Sequence, residues 1–82
     1  MQTLHLDITR NSDDPTTDAQ WFQDTLADCA GIITAKVTAT EVPENENVWD
    51  ATIKVEDTEF EALMTYLVED QGYDEDTIDV ED

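Results

Sequence analysis

Leu4, Leu6 and Ile8 alternate with Thr3, His5, Asp7 and Thr9, the two-residue period of a strand with one buried face. Asn11-Ser12-Asp13-Asp14-Pro15 reads as a loop that ends in a helix start, with Asp14 as N-cap and Pro15 at the first helical position. Ala19, Phe22, Leu26, Cys29 and Ala30 then recur at helical spacing, and Gly31 supplies the stop. From Ile33 the period returns to two: Ile33, Ala35, Val37 and Ala39 share one side, Thr34, Lys36, Thr38 and Thr40 the other. Residues 42–47 form a hairpin loop, after which Trp49, Ala51, Ile53 and Val55 alternate with Asp50, Thr52, Lys54 and Glu56. Thr58 and Glu61 have the spacing of a capping box, and Phe60, Leu63, Met64 and Leu67 make a second helical stripe that Gly72 ends. Thr77 to Val80 can form a last short strand with Ile78 and Val80 inward, so residues 73–82 are read as an acidic strand or tail.

The predicted order is β-α-β-β-α-β within one domain spanning residues 1–82. One apolar face per strand and one stripe per helix imply two layers, with both helices on one face of an antiparallel sheet. This is the α+β, ferredoxin-like arrangement, which hosts many unrelated functions and assigns none.

Charge changes the picture most. Twenty-two acids stand against three bases, a net charge of −19 in 82 residues. Self-repulsion of this size opposes compaction, so something outside the fold must favour it. Duplex DNA carries one charge per about 1.7 Å, so 19 charges match roughly 32 Å of duplex. That is close to the ~30 Å diameter expected for a chain of this length. With only Arg10, Lys36 and Lys54 as bases, direct binding to nucleic acid or to an anionic membrane is excluded, and the complementary partner is basic. No apolar run suits a signal peptide or a membrane span, which makes the cytoplasm the expected compartment, a host's if the protein is viral.

Candidate chemistry is sparse. His5 sits on an outward strand position beside Asp7 and Thr3, with no nucleophile or second acid in view, so it reads as a surface histidine. Cys29, the single cysteine, lies on the apolar stripe and reads as a buried thiol; it forms no disulfide within the chain. Asp74-Glu75-Asp76-Thr77 lacks the central glycine and the ligand spacing of a calcium loop. Two glycines cannot build a phosphate-cradling loop. RNA-recognition domains share the topology but stack bases on aromatics of the open sheet face, whereas Trp49 falls in the inward register. No catalytic residue, metal or cofactor is expected.

The helical wheels carry more. At 100° per residue, Asp14, Asp18, Asp24 and Asp28 fall within an arc of ~120° opposite the apolar stripe, and Trp21 lies inside it. On the second helix Tyr66 falls on the polar face near Glu59, Glu69 and Asp70. An exposed aromatic inside a charged patch has the composition of an interface hot spot. Lys36 and Lys54 instead belong to the sheet's open face, which is Thr-rich, less negative and able to pair with a second copy of the chain. In size, charge and fold class the chain resembles phage-encoded DNA-mimic inhibitors, including the anionic anti-CRISPR proteins. That resemblance implies an inhibitor whose Asp14, Asp18, Asp24, Asp28, Glu59 and Glu69 replace phosphates in a basic nucleic-acid-binding site, with Trp21 and Tyr66 adding desolvated contact. The competing expectation is adaptation to high salt of a small interaction or ligand-binding module, where a short Debye length screens the repulsion.

Overall fold

The computed structural model describes residues 1–81. Its elements are β1 (Gln2–Thr9), α1 (Pro15–Ala30), β2 (Lys36–Glu41), β3 (Val48–Val55), α2 (Asp57–Thr65) and β4 (Asp79–Glu81). The strands make one four-stranded sheet in the order β2-β3-β1-β4, antiparallel at every seam. With two helices against one face, this is the ferredoxin-like two-layer sandwich that the apolar pattern predicts. The inward register is the expected one: Leu4 lies opposite Ile53, Leu6 opposite Ala51 and Ile8 opposite Trp49. The long axis measures 33 Å.

Local chemistry fixes the ends of α1. Asp14 is extended, and its carboxylate accepts from the Thr16 N–H at 2.9 Å, followed by Pro15 at the first turn. At the other end Gly31 takes φ 68°, and the N–H groups of Gly31 and Ile32 both close on the Leu26 carbonyl. This cap tucks Ile32 into the core at 2 % exposure. It also corrects the register of the following segment: Ile33 faces solvent and β2 begins only at Lys36, while Ala35 and Val37 keep their inward places.

Two further expectations change. The Thr58–Glu61 capping box does not form, because α2 starts at Asp57 and leaves Thr58 inside the helix; Glu56 occupies the cap position without a side-chain bond. Beyond Thr65 the helix widens into a π-helical turn, Tyr66–Asp70, where the Gln71 N–H reaches back to the Tyr66 carbonyl at 3.1 Å. Gly72 (φ 75°) ends it, with the Tyr73 N–H on the Leu67 carbonyl. The last strand is later and shorter than the pattern suggests. Glu75–Thr77 closes into a 3-10 turn capped by the Asp74 carboxylate, so Thr77 lies outside β4, although Ile78 is buried as expected.

The exposed edge of β2 is partly closed by α1: the Val37 N–H donates to the Gln23 side-chain carbonyl at 3.0 Å.

Candidate functional site

The eight residues that the helical wheels gather into one anionic patch separate into two groups. Asp14, Trp21, Asp24 and Asp28 stand exposed on α1, and Glu69 is exposed on the π turn after α2. Trp21 is 59 % exposed, a large indole with no place in the core. Asp24 accepts from the Gln20 amide at 2.9 Å, an i,i+4 bond along the same helix.

The other three are structural, and their assignment to a binding face is corrected. Asp18 is 4 % exposed. One of its oxygens accepts from the Trp49 indole N–H and from the backbone N–H groups of Asn11 and Ser12, at 2.9 and 3.1 Å for the last two. Burial alone would push this carboxyl up, but the donors from Trp49, Asn11 and Ser12 outweigh it and hold it below the ordinary Asp value. A fully buried indole needs an acceptor, and Asp18 is the one in reach. Arg10 lies over a face of that indole, its guanidinium carbon 4.4 Å from the ring centroid, and reaches the Ser12 carbonyl and Asp13. A wheel gives the angle of Asp18 but not the donors that surround it. The signal available in the sequence was the inward Trp49, whose N–H had no partner on its own strand.

Glu59 is half-buried and clamps the α1–β2 connection to α2. It accepts from the Thr34 hydroxyl and N–H and from the Ile33 N–H, bonds that hold its carboxyl below the ordinary Glu value. Tyr66 is 7 % exposed, its hydroxyl accepting from the Gln71 amide at 2.7 Å. It lies one residue before Leu67, on the flank of α2 that turns toward the end of α1 rather than toward solvent.

Cys29 is exposed, not buried. It lines an open groove of about 480 Å³ between the C-terminal turn of α1 and α2, together with Ala30, Glu61, Ala62, Tyr66 and Asp70. Glu61 was not singled out by the wheels, whereas Asp70 belongs to the polar arc they give for the second helix; both are exposed. Neither makes an ion pair among the described residues.

The open sheet face also differs from expectation. His5 is not a lone surface imidazole: Thr52 Oγ lies 3.1 Å from Nδ1, and Glu81 Oε2 lies 2.8 Å from Nε2. A hydroxyl, an imidazole and a carboxylate therefore stand in line. Thr52 belongs to β3, paired on both sides, so the N–H groups around its hydroxyl serve the sheet ladder and offer no oxyanion donors. The arrangement ties β4 to β1 and β3. Lys36 and Lys54 face each other directly across β2 and β3, and Asp7 faces Asp50 across β1 and β3. Both are like-charge pairs, which destabilise a sheet.

No family model, curated protein or solved structure matches the chain. Among the described residues, no group of three or more His, Cys, Asp and Glu is placed to hold a metal ion. No described helix is long and apolar enough to cross a membrane.

Proposed function

We propose that the protein is a non-enzymatic anionic decoy, which uses the outer face of α1 to occupy the basic nucleic-acid-binding site of a partner protein or complex. The observation that carries this reading is Trp21. Solvation explains exposed carboxylates, but it does not explain a 59 % exposed indole set among Asp14, Asp24 and Asp28. The three bases lie on the β1–α1 loop and the open sheet face, so no cation on either helix competes for these acids. The 33 Å long axis carrying a net −19 gives about the linear charge of one turn of duplex. Of the residues first assigned to phosphate mimicry, Asp24 and Asp28 keep that role on the outer face of α1; Asp14 stands at its start with one oxygen committed to the Thr16 N–H, and Glu69 lies off it, on the turn after α2. Phage DNA-mimic inhibitors of the anti-CRISPR type are the class whose size and charge fit this mechanism.

The test is a titration against a candidate DNA-binding complex. Trp21→Ala should weaken binding by about 2 kcal/mol. Binding should also fall steeply with salt and be competed by duplex DNA. A complex that tolerates saturating DNA would refute the decoy.

A second reading has its own support. Asp7 and Asp50 lie directly opposite on the sheet face, away from the helices, where mimicry by α1 has no use for them. Concentrated salt would relieve that repulsion, as it would the charge of the whole surface. On this reading the chain is a high-salt-adapted interaction module. It should lose most of its structure at physiological ionic strength, whereas a decoy from an ordinary host stays folded there. Circular dichroism at low and molar salt separates the two.

A further inference from the structure

Two of the three bases stand side by side on the open sheet face, Lys36 on β2 directly opposite Lys54 on β3. Asp7 on β1 and Asp50 on β3 repeat the arrangement with the opposite sign. All four residues are exposed, and none makes an ion pair among the described residues. With 22 acids in the chain, charge balance alone would draw each lysine to a carboxylate. Each like-charge pair by itself destabilises the sheet. Together they make a self-complementary pattern. Lys54 and Asp50 lie four residues apart on one strand, about 13 Å, with Thr52 midway. Thr38, Thr52 and His5 form the row across the sheet at that level. A two-fold axis laid along this row turns the lysine end of one copy onto the aspartate end of another, at both ends at once.

We propose that the open sheet face binds a second copy of the chain, face to face and two-fold symmetric, with Lys54 of each copy meeting Asp50 of the other. Lys36 and Asp7 flank that contact, each one strand spacing of about 4.8 Å from it, within the span of a flexible lysine stem. The row on the axis opposes itself, which suits threonine. Thr38 and Thr52 carry no charge, and both ring nitrogens of His5 are already engaged, by Thr52 and Glu81. Asp79 ends the row at the rim, in water, where like charges are screened. Four strands of about six residues give a face roughly 19 Å by 20 Å, which belongs to the weak end of specific interfaces. The helices stay on the outer sides of such a pair, so the inference rests on neither reading of the charge.

The charge of the whole chain opposes association while the face favours it, and that conflict makes the test specific. In sedimentation of the full chain at about 1 M salt and concentrations up to about 1 mM, a dimer should form, because the repulsion between two bodies of charge −19 is long-range and is screened first. Asp7→Lys/Asp50→Lys lowers the net charge, so the field alone predicts tighter association; the face predicts a dissociation constant higher by about tenfold or more. Glu61→Lys/Asp70→Lys, on the helical side, makes the same change in charge and should associate at least as tightly as the wild type. Lys36→Asp/Lys54→Asp should also fail to pair with itself, yet mixed with Asp7→Lys/Asp50→Lys it should form a mixed dimer, since every contact is then opposite in sign. Thr38→Arg, at an exposed position on the axis, should weaken the dimer by a similar factor of about ten, because the new charge meets its own copy. It keeps the test open if circular dichroism shows a double variant to be unfolded. A wild type that stays monomeric at about 1 mM, equal tightening by the two lysine-bearing double variants, or a dimer that Thr38→Arg leaves untouched would each overturn the proposal.

Discussion

The start of α1 and its outer face hold the same kind of residue and use it in opposite ways. At the start, Asp18 is enclosed by the Trp49 indole, the Asn11 and Ser12 amides and a loop that Arg10 holds down. Farther along, Asp24 and Asp28 face water, with nothing but a Gln20 amide on the first. A carboxylate surrounded by N–H donors is architecture, and one surrounded by water is available to a partner. The difference lies in the donors supplied by neighbouring elements, not in the acid or in its position on the wheel.

The contrast can be broken most directly at Asp18. Asp18→Ala would leave an indole N–H and two amide N–H groups without their acceptor. Each unsatisfied buried donor costs about 1–3 kcal/mol, and the loop amides can regain water, so a loss of about 3 kcal/mol is expected. That is a large part of the stability of a domain this size. The urea midpoint reads it, and a loss under about 1 kcal/mol would mean that the enclosure contributes little. Trp21→Ala, one turn away, should move the same midpoint by less than about 1 kcal/mol, because the indole is already in water.

Acid sharpens the comparison. Asp18 and Glu59 both titrate below the ordinary 3.8 and 4.5 in the folded chain. Their stabilisation is therefore complete above those unfolded values and is lost as pH falls through the lowered folded ones. The thermal midpoint of the wild type should drop faster below about pH 4 than that of an Asp18→Asn/Glu59→Gln variant, which has no carboxylate at either position left to protonate. Parallel curves would assign acid sensitivity to other carboxylates. The smallest effect belongs to the solvated group: Asp24→Asn or Asp28→Asn alone should change stability by no more than about 0.5 kcal/mol.

Much of the architecture was legible from period and punctuation. Asp14-Pro15 and Gly31 bound α1 as read, because caps are local chemistry, and the alternation in β1 and β3 set the inward register. Local reading failed where a second element decided the outcome. Ile33 has the right period for a strand, but the Gly31 turn gives the core to Ile32. Tyr66 sits on the polar arc of its own helix, yet its flank turns toward α1. Glu59 looks like a surface acid until Thr34 arrives from 25 residues away. At the candidate site the exposed members, Trp21, Asp24 and Asp28, were readable because no distant element buries them; the one side-chain bond to Asp24 comes from Gln20 on the same helix. The places of Glu61 and Cys29 were not, since a groove exists only once two helices are placed side by side.

The Gln23 amide on Val37 bears on solubility. In dilute buffer a charge of −19 keeps copies of the chain apart, whatever their edges offer. In concentrated salt that protection shortens to a few ångströms, and the bare side of β2, a six-residue edge strand, becomes a template on which another sheet can grow. One of its outward N–H groups is already occupied from within by Gln23, so an incoming strand meets a broken ladder. Resistance to aggregation thus passes from a long-range field to a single short-range bond as the ionic strength rises.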